Sequence, residues 1–67
     1  MNQDVIKSID KLIGMYKANP EIFDDNVWRC YSECKKVIFA AEDTGKIEWD
    51  CKAYDKYIDY ICDKLKI

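Results

Sequence analysis

The first third of the chain carries apolar residues at the spacing of an amphipathic helix. Asn19 and Pro20 then mark a stop and a new start, because asparagine is a preferred N-cap and proline a preferred first helical residue. The pattern predicts helix 1 over about residues 3–18, followed by a turn over 19–25. One face of helix 1, about 120° wide, holds its apolar side chains: Val5, Ile6, Ile9, Leu12, Ile13 and Tyr16.

The middle of the chain repeats apolar residues at alternating spacings of four and three, which is typical of a helix packed along a seam. This pattern predicts helix 2 over about residues 25–43. Helix 2 has two possible starting points. Either a short turn precedes a helix that starts near Asp25, or the helix begins at Pro20 and the acidic residues Asp24 and Asp25 lie in its first turn. The expected core face holds Val27, Cys30, Tyr31, Cys34, Val37, Ile38 and Ala41.

The last third has the most regular pattern and predicts helix 3 over about residues 46–66. Gly45 suits the left-handed end of helix 2, and a short connector makes two helices antiparallel neighbours. No strand pattern competes, so we expect one all-α domain over residues 1–67: a three-helix bundle in which helix 1 packs across the hairpin of helices 2 and 3. The expected core series of helix 3 is Ile47, Cys51, Tyr54, Ile58, Ile61 and Leu65.

The size and charge of the chain argue against several classes of function. A chain of 67 residues has one small core, which leaves no room for a deep enclosed pocket. Eleven basic against 13 acidic residues, a net charge of −2 and no basic run argue against nucleic acid as a partner. Charged residues interrupt the N-terminal apolar positions, so we expect no signal peptide, no membrane contact and a cytoplasmic protein.

The residues that usually carry catalysis are scarce. The chain has no histidine, so a cysteine nucleophile would lack its usual base, and it has no glycine-rich phosphate loop. We therefore expect no enzyme activity, no cofactor and no small-molecule substrate.

The four cysteines raise the question of a metal or a disulfide. Cys30 and Cys34 lie one helical turn apart, but Cys51 and Cys62 would lie about 16 Å apart on one helix and could not share an ion. We expect no metal site and four free thiols on the core-facing sides of the helices. A disulfide between Cys30 and Cys62 across the hairpin is the alternative.

A second set of aromatic residues lies away from the expected core. In helix 3, Trp49 and Tyr60 fall opposite the core face, a pair we term the Trp49–Tyr60 seam; helix 2 carries Trp28 and Phe39 in a similar position. Helices with aromatic residues on two faces pack on both sides or present one to a partner. Helix 1 can cover only one of these faces. If it covers Trp28 and Phe39, the Trp49–Tyr60 seam is left exposed.

These features favour a non-catalytic protein-binding module that inhibits or adapts a larger protein. Small acidic single-domain chains are common among phage and mobile-element anti-defence proteins such as anti-CRISPRs, an analogy of size and composition only. The alternatives are a homodimer built on the Trp49–Tyr60 seam and a helical transcription regulator, although the latter lacks a basic recognition helix. Asp59 and Asp63 form either a solvated flank or an acidic contact strip. The predicted partner-binding residues are Trp28, Phe39, Trp49, Ala53, Lys56, Asp59, Tyr60 and Asp63.

Overall fold

The computed structural model describes all residues, 1–67, and confirms the predicted three-helix, all-α fold. Helix α1 spans Gln3–Ala18, a short 3₁₀ helix spans Pro20–Phe23, α2 spans Val27–Asp43 and α3 spans Cys51–Leu65. There are no strands, and α1 packs against both α2 and α3, more extensively against α2. None of the helices has the length and apolar character needed to cross a bilayer.

Helix α1 begins and ends close to the predicted bounds because its terminal signals are strong. The Asn2 side chain accepts hydrogen bonds from the backbone N–H groups of Asp4 (2.9 Å) and Val5 (3.2 Å) and so caps the first turn. At the other end Pro20 cannot continue the helix, and Asn19 adopts an extended φ of −149°.

The segment between α1 and α2 contains a turn that the sequence only partly predicted. Phe23 is buried against Tyr16, with ring centroids 6.0 Å apart, and thereby holds the 3₁₀ helix on the core. Asp24 and Asp25 then adopt left-handed φ values of 57° and 55°, which end any helix begun at Pro20. Helix α2 therefore starts at neither Pro20 nor Asp25 but at Val27, after the N-cap Asn26.

Helix α3 begins at Cys51, about five residues later than predicted. After Gly45 (φ 76°) the chain does not resume a helix, because the N–H groups of Lys46 and Ile47 both bond to the Ala41 carbonyl at 2.9 and 3.2 Å. The side chain of Asp50 then accepts from the Lys52 N–H at 3.1 Å and caps α3. The connector between α2 and α3 thus runs over residues 44–50.

The core face of α3 differs from the predicted series. Tyr57, which the pattern omitted, is buried and its hydroxyl accepts a hydrogen bond from the Asn2 N–H at 2.8 Å. Cys51 is exposed, while Tyr54 and Ile58 are half-buried beside the core. The eleven buried residues are Val5, Ile9, Ile13, Phe23, Cys30, Cys34, Ile38, Ala41, Tyr57, Ile61 and Leu65.

The four cysteines are free and occupy different environments. Cys30 and Cys34 are buried in α2, Cys62 is half-buried and Cys51 lies in solvent. The expectation that all four face the core is therefore wrong for Cys51, because it occupies the first position of α3, at the exposed end of the bundle.

Candidate functional site

The outer side of α2 carries a first group of aromatic side chains near the N-terminus of the helix. Trp28 is 57% exposed and packs edge-on against the ring of Tyr31, with centroids 5.5 Å apart. The ammonium group of Lys35 lies 5.5 Å from the centre of the same tyrosine ring, within the range of a cation–π contact. Tyr31 thus links the exposed tryptophan to a positive charge one turn further along.

A second aromatic group lies where the C-terminal half of α2 meets the start of α3. Phe39 stacks on Tyr54 with centroids 5.9 Å apart and an interplanar angle of 16°. Trp49, in the connector, packs on Tyr54 at 5.4 Å and 48°. Phe39 is 44% exposed and Trp49 59% exposed, so the three rings form one contact surface open to solvent.

The two groups belong to one side of the molecule. Trp28, Lys35 and Phe39 are spaced by seven and four residues, which places them in one row along α2. We call the aromatic surface the set formed by this row and the rings that contact it: Trp28, Tyr31, Lys35, Phe39, Trp49 and Tyr54. Adjacent exposed aromatic residues of this kind mark interaction sites on soluble domains more often than scattered apolar residues do.

The Trp49–Tyr60 seam predicted from the sequence is wrong. Trp49 precedes α3 and packs on Tyr54, whereas the hydroxyl of Tyr60 donates a hydrogen bond to Asp10 of α1. That hydrogen bond, together with burial and the Asp10 charge, raises the pKa of Tyr60 to about 12. Tyr60 is half-buried and packs against the core, so helix 1 covers Tyr60 instead of Trp28 and Phe39.

The charged residues predicted to surround the seam lie on another side of α3. Lys56, Asp59 and Asp63 are exposed and fall roughly opposite Tyr54 on the helical wheel. They are therefore separated from the aromatic surface. Their nearest aromatic residue along α3 is Tyr60, which lies one turn from Lys56 and Asp63 and is bonded to Asp10 of α1.

A pocket opens beside the aromatic surface, at the end of the bundle. It has a volume of about 380 Å³ and lies where the start of α1, the end of α2 and the start of α3 meet. Trp49, Ala53 and Tyr54 line it together with deeper residues that include Ile38 and Tyr57. Of the predicted partner-binding residues, the structure thus brings Trp49 and Ala53 together here.

The acidic side of this pocket was missed by the sequence analysis. Glu42, Glu48 and Asp50 line it, and the Oε1 atom of Glu42 is buried without a hydrogen-bond partner. Glu48 and Asp50 were assigned to the first turns of helix 3, and Glu42 to the end of helix 2. An Asp followed by the apolar repeat of α3 is an N-cap signal, and it would have indicated the longer connector that creates the pocket.

The remaining candidates for chemistry are the buried thiols of α2. Burial raises the pKa of Cys30 and raises that of Cys34 to about 12, the latter with a contribution from the neighbouring Cys30. A thiolate is the reactive form, so these two side chains are poor nucleophiles and act as small apolar core residues. No group of three or more His, Cys, Asp or Glu side chains is arranged to hold a metal ion.

Comparisons of this chain with protein-family models, curated proteins and solved structures give no match. The functional proposal therefore depends on the aromatic surface and its adjoining pocket.

Proposed function

We propose that this chain is a non-catalytic protein-binding module and that its contact surface is the aromatic surface. The observation that carries the proposal is the exposure of Trp28, Phe39 and Trp49 on one side of a domain with a small core. Tryptophan and tyrosine dominate the energetics of many interfaces because they bury a large area with few rotatable bonds.

The arrangement of the rings favours binding at low entropic cost. Phe39, Tyr54 and Trp49 restrict one another through direct ring contacts, and Tyr31 restricts Trp28 in the same way. Side chains held in place before association lose less conformational freedom when a partner covers them. The aromatic surface thus presents a partly preorganised apolar area with Lys35 as a charged element between its two groups.

A module of this kind acts by covering part of a larger protein. A 67-residue domain with one contact surface would block a site on its partner or connect that partner to another molecule, which makes inhibitor or adaptor the proposed role. Size and acidic composition are shared with phage and mobile-element anti-defence proteins, anti-CRISPRs included, and this analogy suggests a class of partner to examine first.

Site-specific photo-crosslinking tests the proposal. Phe39→p-benzoylphenylalanine places the crosslinker in the aromatic surface, and Met15→p-benzoylphenylalanine places it at another exposed apolar position, on α1. We expect a discrete protein adduct from position 39 and none from position 15 in cells of the encoding organism. Excess unlabelled chain should suppress the adduct, whereas the Trp28→Gln/Trp49→Gln variant should not.

Two results would contradict the proposed function. Equal adducts from positions 15 and 39 would show non-specific contact. A product of twice the chain mass, accompanied by concentration-dependent dimerisation, would instead support the homodimer alternative, with the aromatic surface as its self-complementary interface.

A further inference from the structure

The pocket beside Trp49, which we call the Glu42 pocket, has a size suited to one side chain of a partner. Its volume of about 380 Å³ is near the lower end of the range for ligand-binding pockets. It is open to solvent and adjoins the aromatic surface through Trp49 and Tyr54. A partner lying on the aromatic surface would therefore pass directly over its mouth.

The charged residues that line the Glu42 pocket are all acidic. Its lining contains three acidic residues, Glu42, Glu48 and Asp50, and no lysine or arginine. None of these three takes part in the ion pairs of the chain, which join Arg29 to Asp24, Lys36 to Glu33 and Lys46 to Asp4. No lysine or arginine side chain therefore forms an ion pair with the acidic residues of the pocket.

One acceptor in the Glu42 pocket lacks a partner. The Oε1 atom of Glu42 is removed from solvent and accepts no hydrogen bond. A carboxylate oxygen without a donor from the protein has unused hydrogen-bonding capacity, and a donor that reaches the Glu42 carboxylate would use it. Asp50, by contrast, already accepts from the Lys52 N–H as the cap of α3.

The other walls of the Glu42 pocket are aromatic. Trp49 and Tyr54 line the cavity near the aromatic surface, and the buried Tyr57 lines it further inside. Aromatic faces attract cations, and a planar guanidinium group stacks on such rings while donating in pairs to a carboxylate. A lining that combines carboxylates with aromatic side chains suits a guanidinium group, which can use both at once.

From these observations we propose that the Glu42 pocket receives an arginine side chain of the protein partner. The guanidinium group would donate to the Glu42 carboxylate and stack against Trp49 or Tyr54. This inference rests on the proposed function for the identity of the occupant as a protein, but the preference of the pocket for a guanidinium group can be measured separately.

Nuclear magnetic resonance titration tests that preference with four peptides: acetyl-Gly-Arg-Gly-amide and its Lys, Gln and Glu counterparts. The indole N–H signal of Trp49 reports on the pocket, and that of Trp28 in the same molecule serves as an internal control. We expect saturable shifts of the Trp49 signal with the Arg peptide, at least about fivefold weaker binding of the Lys peptide, and no saturable shift with the Gln or Glu peptide.

Two substitutions that each remove one negative charge test whether Glu42 accepts the hydrogen bonds of the guanidinium group. Glu42→Gln keeps the shape of the side chain and should weaken binding of the Arg peptide about fivefold or more. Asp43→Asn removes the same charge from the next residue, which does not line the pocket, and should change the affinity less than about twofold. A wild-type amide spectrum for both variants would establish that each remains folded.

Several results would overturn the inference. These are equal binding of the Arg and Gln peptides, equal binding of the Arg and Lys peptides, or an Arg affinity unchanged by Glu42→Gln. A dimer that dissociates on Arg29→Gln would place the only arginine of a second copy in the pocket and would also overturn it. If the Arg peptide fails to bind while position 39 still crosslinks a partner, the inference fails and the proposed function stands. If the Arg peptide binds as expected but position 39 crosslinks no partner, only the proposed function is refuted.

Discussion

At the scale of single residues, α2 reverses the usual relation between side-chain size and burial. Its fully buried positions include the small thiols of Cys30 and Cys34, while the large rings of Trp28 and Phe39 are about half exposed. Small side chains permit a close approach of α1, and the Cys30 thiol lies 3.8 Å from the Leu12 carbonyl oxygen. The aromatic residues are consequently available for contacts outside the domain.

The thiols give a direct test of this burial pattern. At pH 8 the exposed Cys51 should react first with iodoacetamide and the half-buried Cys62 more slowly, whereas Cys30 and Cys34 should react only after unfolding. Mass spectrometry of proteolytic peptides after timed labelling measures the order. Rapid labelling of Cys34 in the folded protein, or slower labelling of Cys51 than of Cys34, would contradict the structure.

The raised pKa of Cys34 also predicts how stability depends on pH. Because burial favours the neutral thiol in the folded state, this residue contributes its full stabilisation below pH 9 and loses it as pH rises from 9 toward 12. Cys34→Ala should reduce the decrease in the free energy of unfolding between pH 9 and pH 12. Urea unfolding at several pH values in this range measures that decrease. The exposed-site control Cys51→Ala should leave the pH dependence unchanged.

At the scale of elements, α3 shows why an apolar repeat does not by itself determine which face of a helix is buried. Two overlapping rows satisfy the spacing, one through Tyr54 and Ile58 and another through Tyr57, Ile61 and Leu65. The second row lies in the core, where the Tyr57 hydroxyl accepts a hydrogen bond from the backbone N–H of Asn2, the N-cap of α1. That contact joins residues far apart in the sequence, so the periodicity of α3 alone could not predict it.

Alanine substitutions distinguish the two rows of α3. Ile61 is fully buried, so Ile61→Ala should lower the free energy of unfolding by about 2–5 kcal/mol, enough to unfold much of a domain this small. Ile58→Ala, at a half-buried position on the same helix, should cost less than about half as much. Urea unfolding monitored by circular dichroism measures both. A larger loss for Ile58→Ala than for Ile61→Ala would contradict the burial of these two residues in the structure.

The helix termini show which local sequence signals are sufficient to predict where a helix begins or ends. Asn19 and Pro20 end α1 as predicted, because proline geometry acts within a few residues, and the Asn2 cap starts the helix at the expected position. The start of α3 was predicted too early because Ile47 continued the apolar repeat. In the structure Ile47 packs against the core from the connector, so an apolar residue at helical spacing need not be helical.

At the scale of the whole molecule, the helix number and fold class could be predicted because three long amphipathic segments permit few other arrangements. The candidate site could be predicted only in part. Trp28, Phe39 and Trp49 were recognised as lying outside the core, but grouping them required knowing that α1 packs on the side of Tyr60. The Glu42 pocket depends on three chain segments meeting at one end of the bundle, which no local pattern records.

The proposed function requires that the exposed tryptophans serve association and contribute little to folding. The most direct test of this requirement is the free energy of unfolding of the Trp28→Gln/Trp49→Gln variant, measured by urea denaturation against the wild-type chain. Both residues are more than half exposed, so we predict a change of no more than about 1 kcal/mol and an unaltered helical spectrum. A loss of about 3 kcal/mol or more, the size expected for a tryptophan packed in a core, would contradict this requirement.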